Sequence, residues 1–120
     1  MPFRALIKTH HMTSRKKIQA IIKSAKHHSC SVLIKTGKPP GVMMAQGTED
    51  AVKQWVESVK RLRYKDYRLL RLEAVSAGQL SQHPGSVTEF GSMKDLSAYL
   101  EQCEVWEWWT EHMGFANGGR

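Results

Sequence analysis

A turn between two apolar runs is the feature that most constrains the fold of this 120-residue chain. Residues 37–41 read Gly-Lys-Pro-Pro-Gly, and a helix interior excludes prolines because they lack an N–H and clash with the preceding turn. Residues 31–36 before the turn and residues 42–45 after it are short and largely apolar, as strands are. The turn therefore predicts a β-hairpin in the first half of the chain.

An amphipathic helix is predicted on each side of this hairpin. The first, over residues 13–28, follows a cap at Thr13 or Ser14, and the second, over residues 49–62, follows a cap at Thr48. Each helix has apolar residues spaced i, i+3, i+4 and i+7, namely Ile18, Ile21, Ile22 and Ala25 in the first and Val52, Trp55, Val56 and Val59 in the second. We expect both stripes to be buried on the same face of a sheet, with Ile18, Ile22, Val52, Trp55 and Val59 in the core.

Two further strands complete the pattern. Residues 3–9 alternate between Phe3, Ala5 and Ile7 on one side and more polar positions on the other, and residues 67–74 are rich in Leu and Tyr. The order β-α-β-β-α-β is that of the ferredoxin-like, or split βαβ, fold. The sequence thus predicts an α+β protein with a four-stranded antiparallel sheet and two crossover helices on one face.

The remaining residues predict an appended strand and helices. Residues 87–90 suit a short strand, Ser92 and Asp95 have capping-box spacing, and an apolar stripe follows at Leu96, Tyr99, Leu100 and Cys103. We expect this helix to pack on the sheet's edge or its other face, or to bind a partner chain. Residues 104–113 predict a further helical turn or two, in a single domain over residues 1–115 with a flexible tail at 116–120.

Charge is distributed unevenly along the chain, whose net charge is +7. Residues 1–71 hold 16 Lys and Arg against 4 Asp and Glu, whereas residues 72–120 hold 2 against 7. Such asymmetry favours a polyanion as partner of the first part, and we expect RNA. If the two crossover helices are antiparallel, the start of one and the end of the other form a single patch. The candidate RNA-binding residues are Arg15, Lys16, Lys17, Lys38, Lys60, Arg61, Arg63 and Lys65.

The sequence offers no catalytic, metal or cofactor motif. HExxH, CxxC, GxGxxG and Walker patterns are missing, and the histidine pairs 10–11 and 27–28 are adjacent, so their members do not face one metal on a helix. Cys30 and Cys103 are interpreted as buried thiols in a reducing nucleus or cytoplasm. We therefore expect neither an enzyme nor a small-molecule site, and no run approaches the ~20 apolar residues of a membrane span.

The order of several segments resembles a known family. These are residues 11–18 (HMTSRKKI), residues 37–42 (GKPPGV) with Gly47 beyond the next strand, residues 59–65 (VKRLRYK), and an aromatic end from Phe90 to Phe115. Together they resemble the C-terminal domain of the spliceosomal pre-mRNA-processing factor three, a domain type also found at the C-terminus of RWD-domain proteins. The resemblance implies a ferredoxin-like domain and binding of a small nuclear RNA duplex with its adjacent single strand.

Two functions remain open from the sequence. The predicted third strand, residues 42–45, has no aromatic side chain on which bases could stack, so RNA binding would depend mainly on phosphate contacts. The alternative is a protein-interaction domain without an RNA role, using the acidic C-terminal helix and its tryptophans Trp106, Trp108 and Trp109. These three cannot all point one way on a helix, so we expect at least one to be exposed.

Overall fold

The computed structural model describes residues 1–81 and 83–115, and within these ranges it has five strands and four helices. The strands are β1 (Phe3–Thr9), β2 (Ser31–Lys35), β3 (Gly41–Gly47), β4 (Arg68–Ala74) and β5 (Val87–Phe90). The helices are α1 (Arg15–His27), α2 (Glu49–Lys60), α3 (Met93–Gln102) and α4 (Trp106–Met113). The predicted tail, residues 116–120, lies outside the described residues.

The strands form one sheet in the order β4-β1-β3-β2-β5. The first four pair antiparallel, which confirms the predicted hairpin between β2 and β3 and the ferredoxin-like core. The appended strand predicted at residues 87–90 is β5, and because it pairs in parallel with β2, the sheet is five-stranded and mixed rather than four-stranded and antiparallel. This pairing uses backbone groups of β2 that a four-stranded sheet would leave open at its edge.

Both crossover helices lie on the same sheet face, as predicted. Ser14 caps α1 by accepting a hydrogen bond from the Lys17 N–H at 3.3 Å, and Thr48 caps α2 in the same way from Ala51 at 3.2 Å. Their stripes pack on inward residues of β1, β2 and β3 in a core that includes Ala5, Ile7, Ile18, Ile21, Val32, Ile34, Val52, Trp55 and Val59. Ile22 is half-buried rather than fully buried, because it lies at the rim of this core.

The opposite sheet face is covered by α3 and α4. Leu6, Leu33, Val42 and Met44 project from the strands into a second core, where they meet Leu96, Leu100, Val105 and Trp109. Of the alternatives left open for the third helix, packing on the other sheet face is the observed one. The central strands therefore have both faces buried, and neither face is available to a ligand.

Trp55 fills the space between α2 and the sheet, and its replacement tests the first core. Its side chain is fully buried, and its indole N–H has no hydrogen-bond partner among the described residues. We expect Trp55→Ala to lower the free energy of unfolding by about 3–5 kcal/mol, mostly through lost packing. Chemical denaturation measures this, with Gln54→Ala on the exposed side of α2 as a control expected to change it by less than about 0.5 kcal/mol. A cost near that of the control would contradict the packing described here.

Removal of residues 92–120 tests the second core. The truncation would uncover Leu6, Leu33 and Met44, which are at most 1% exposed in the intact chain. Because large exposed apolar patches drive association, we expect aggregation on expression. Light scattering and sedimentation give the readout, and a soluble, folded, monomeric truncation would show that α3 and α4 are accessory.

Candidate nucleic-acid interface

Antiparallel packing of α1 and α2 brings two basic segments to one end of the molecule. The hydroxyl groups of Ser24 and Ser58 are hydrogen-bonded at 2.6 Å, and the Lys17 ammonium lies 4.9 Å from the centre of the Tyr64 ring. The early part of α1 therefore lies beside the residues that follow α2. This is the arrangement that the predicted continuous patch required.

The β2–β3 turn reaches the same end. Met12 and Gly37 exchange two backbone hydrogen bonds, of 3.0 and 2.8 Å, just before α1 begins. Gly41 also donates its N–H to the His10 carbonyl at 2.6 Å, and a Cβ there would lie 2.3 Å from the Thr9 hydroxyl oxygen. Glycine is needed at this position because the turn approaches the end of β1 so closely, and the approach places the exposed Lys38 near the start of α1.

A buried lysine that the sequence analysis did not single out holds the turn. Lys35 is 4% exposed, and its ammonium donates to the carbonyl oxygens of Lys38 at 2.6 Å and Pro40 at 3.1 Å. Burial, followed by the charge of Lys38, lowers the pKa of Lys35. Because Lys35 is occupied inside the turn, it cannot contact a ligand phosphate, whereas the Lys38 side chain can.

Tyr64 anchors the loop between α2 and β4. Its ring is 8% exposed, burial raises its pKa to about 12, and its hydroxyl has no hydrogen-bond partner among the described residues. The Lys65 carbonyl accepts the His10 N–H at 2.9 Å, which ties the loop to β1. The flanking Arg63 and Lys65 remain exposed on a fixed loop.

Seven of the eight predicted RNA-binding cations have no carboxylate within 4 Å in the part of the chain that the structure describes. We call this set the basic end: Lys16, Lys17, Lys38, Lys60, Arg61, Arg63 and Lys65. All of them are exposed except Lys17, whose ammonium lies over the Tyr64 ring. Seven unneutralised cations at one end make a surface suited to a polyanion.

Arg15, the eighth, is neutralised by a residue that sequence reasoning missed. Glu89 on β5 accepts two hydrogen bonds from its guanidinium, at 2.8 and 3.2 Å. This pairing lowers the pKa of Glu89 and raises that of Arg15, chiefly through the hydrogen bonds themselves. No local signal predicts the contact, because 74 residues separate the two and it depends on β5 joining the sheet.

A groove of about 590 Å³ adjoins the basic end, between the β2–β3 turn and the start of β4. Its lining residues are Lys8, Thr9, His10, Pro39, Pro40, Asp66 and Arg68. Lys8 and Arg68 face each other across the β1–β4 pairing, and His10 lies 3.6 Å from the Asp66 carboxylate. Lys8 and Arg68 extend the positive surface. The alternation of β1 is the sequence signal that would have added Lys8 to the candidate RNA-binding residues.

The three C-terminal tryptophans are largely engaged within the molecule. Trp109 is 3% exposed in the second core, while Trp106 and Trp108 are half-buried, so the expectation that at least one is exposed is wrong. The Trp106 indole N–H donates to the Ser97 hydroxyl at 2.9 Å, and that of Trp108 donates to the Glu73 carboxylate at 2.7 Å. Packing of α4 on the sheet, rather than exposure, explains their presence.

Arg4 packs against the same helix, α4, through its contact with Trp108. It is 1% exposed, its guanidinium lies 4.9 Å from the centre of the Trp108 ring, and it donates to the Gln46 side chain at 3.0 Å and the Ala77 carbonyl at 2.8 Å. Burial lowers its pKa to about 10. Arg4 is thus a structural cation and does not belong to the basic end.

Other kinds of site find little support in the described residues. They contain no group of three or more His, Cys, Asp or Glu side chains that could hold a metal ion. None of the helices among them is both long and apolar enough to cross a bilayer. Cys30 is buried, as predicted, and burial raises its pKa to about 11, whereas Cys103 is half-buried. A thiol with a raised pKa is a poor nucleophile at neutral pH.

Comparisons with known proteins show the fold and nothing finer. No protein-family model matches the chain, and no curated protein sequence matches it. A bacterial light-regulated adenylyl cyclase matches with a TM-score of 0.59 and 12% identity over 88% of this chain, which spans 34% of that chain. A BLUF domain of BlrP1 gives 0.62 and 11% over 85% of this chain and 73% of that one. Acylphosphatase from Bacillus subtilis gives 0.50 and 15% over 77% of this chain and 100% of that one.

Proposed function

We propose that this chain is a non-catalytic RNA-binding module that holds phosphates at its basic end. The observation that carries the proposal is the convergence of seven cations from α1, the β2–β3 turn and the end of α2, none of which has a carboxylate within 4 Å among the described residues. The resemblance of the sequence adds the kind of RNA: a small nuclear RNA duplex with a single-stranded flank, in pre-mRNA splicing.

The burial of the sheet favours phosphate contacts over base stacking. Domains that stack bases on a sheet need exposed aromatic side chains there, whereas residues 42–45 of β3 are buried and carry none. The RNA would therefore bind at the end of the sheet rather than on its face. Such binding is largely independent of base sequence and weakens steeply with salt.

The size of the molecule limits the contact to a short piece of duplex. Its largest extent is 34 Å, which is about the length of one turn of a nucleic-acid duplex. The basic end, which is part of this surface, can thus contact the phosphates of at most about one turn. We expect no cofactor and no small-molecule substrate for this activity, and a nuclear or cytoplasmic location.

A protein-interaction function remains the second candidate, and one observation favours it. A groove of about 430 Å³ on the α3–α4 layer is lined by Glu101, Glu104, Trp106 and Glu107. These carboxylates have no cation within 4 Å in the described part of the chain. A partner with basic side chains would fit this groove, and it would bind there without contacting the basic end.

Salt-dependent binding of an RNA duplex with a single-stranded flank tests the first proposal. Each phosphate contact contributes about one to the slope of log K against log salt. We therefore expect Lys60→Gln/Arg61→Gln to reduce the slope by about two and to weaken binding to all sequences alike. Fluorescence anisotropy at several salt concentrations provides the measurement.

The matched control removes two exposed lysines from the opposite end of the same helices. Lys26 lies in the last turn of α1 and Lys53 lies over the Phe3 ring at the start of β1, so Lys26→Gln/Lys53→Gln should leave the slope unchanged. An intact protein that shows no salt-sensitive binding below about 100 μM, the weak limit of non-specific binding, would overturn the RNA function and favour the protein-interaction one.

Neighbouring cations at the start of α1 should contribute unequally. Because Glu89 already neutralises Arg15, we expect Arg15→Gln to change RNA affinity little, whereas Lys16→Gln lowers it and removes about one from the salt slope. Glu89→Gln should free Arg15 and strengthen binding. Anisotropy titrations measure all three, with thermal melting as a check on folding, and equal losses for Arg15→Gln and Lys16→Gln would show that phosphate displaces Glu89 readily.

A further inference from the structure

β4 is the edge strand of the sheet next to β1, and its outer side is unpaired. Within the described residues it pairs with β1 alone, through six of its seven residues. An edge of this length presents a row of free N–H and C=O groups that can accept another strand. β5, at the opposite edge, is only four residues long.

The helix-side face of β4 is incompletely covered. Here α2 packs over β1 and β3, so Leu69 is 41% exposed and Leu72 is half-buried beside it. Leu69 is the one large apolar side chain with this exposure between residues 2 and 81. A second strand bearing leucines on the same face would cover both residues.

A β-bulge decides which side chains of β4 share a face. Leu6 is opposite Arg71 and Ile7 is opposite Leu69, which leaves Leu70 as the extra residue. Leu69 and Leu72 therefore share the helix-side face with their partners Ile7 and Ala5. Ala74 lies on that face too, opposite Phe3, and the other four residues lie on the α4 side, namely Arg68, Leu70, Arg71 and Glu73.

We propose that β4 pairs antiparallel with β4 of a second copy of this chain, in one register. In that register Leu69 opposes Leu72 of the second copy, and Arg68 opposes Glu73 of the second copy. Leu70 then opposes Arg71 of the second copy across the two-fold axis. This register pairs every residue between 67 and 74, and because of the bulge every opposed pair shares a face.

Charge supports the same register. Opposite charges directly across a strand pair stabilise it, and like charges destabilise it. A pairing centred on Arg71 would oppose two arginines, whereas the proposed one gives each Arg68 a carboxylate. That carboxylate is already held in place by the Trp108 indole at 2.7 Å and by Arg71 at 2.6 Å.

The layers beside β4 leave room for the pairing. α4 contacts β4 at Glu73, through Trp108 and through His112 at 3.5 Å. In the dimer, Glu73 and its symmetry mate lie five residues apart along the strands, a distance of roughly 17 Å. Since a helix with its side chains is about 10–12 Å wide, the two copies of α4 stand on opposite sides of the axis without collision.

Register-specific crosslinking of the full chain tests the proposal. In a Cys103→Ser background, Leu69→Cys/Leu72→Cys should form a covalent dimer under mild oxidation, because each new thiol opposes its counterpart in the other copy. Leu69→Cys alone and Leu72→Cys alone should stay largely monomeric, since the two thiols in each of these dimers would be offset by three residues along the strands. Crosslinking of either control at the same rate would overturn the register.

Sedimentation velocity of the unmodified protein tests the association itself. We expect a reversible doubling of mass between micromolar and submillimolar concentrations, and its loss in Leu69→Asp, with circular dichroism to confirm that the variant folds. A monomer throughout that range, or a Leu69→Asp dimer as stable as the original, would overturn the proposal. Lys60→Gln/Arg61→Gln should still dimerise, so failure of RNA binding and failure of strand pairing are distinguished.

Discussion

Burial of both faces of the central strands is the constraint on which the rest of the structure depends. On β1, Ala5 and Ile7 pack under α1 and α2, while Leu6 between them packs under α3 and α4. A strand with apolar residues on both faces has no polar side to present to solvent. Ligands and partners are therefore left with the ends of the sheet, its edges and the outer helix surfaces.

The basic end follows from this arrangement together with the packing of the helices. Antiparallel α1 and α2 place their basic segments side by side, and like charges so placed repel one another. The repulsion is tolerated because contacts within the molecule fix the segments: the Met12–Gly37 backbone bonds, the Lys35 ammonium inside the turn and the buried Tyr64 ring. A polyanion that relieves such repulsion would bind a surface that is already formed.

The features that the sequence predicts well are those with local causes. The apolar stripes of α1 and α2, the caps at Ser14 and Thr48 and the proline-containing turn each depend on residues within a few positions of one another. The contacts that it misses join distant positions, such as Arg15 with Glu89 and Arg4 with Gln46. Composition predicted a basic surface, but Glu89 can neutralise Arg15 only because β5 joins the sheet beside β2.

The same layered packing fixes where the acidic residues of the second half of the chain lie. Its Glu73 and Glu89 are engaged by Trp108 and Arg15, and these hydrogen bonds lower the pKa of both carboxyl groups, so they stay ionised at neutral pH. Four other glutamates lie on α3, α4 and the turn between them, at 101, 104, 107 and 111. This negative layer covers the sheet face that RNA-binding domains of similar topology leave open. Phosphates would thus be repelled from the α3–α4 side and attracted to the basic end, so the two halves of the sequence together restrict where a polyanion can bind.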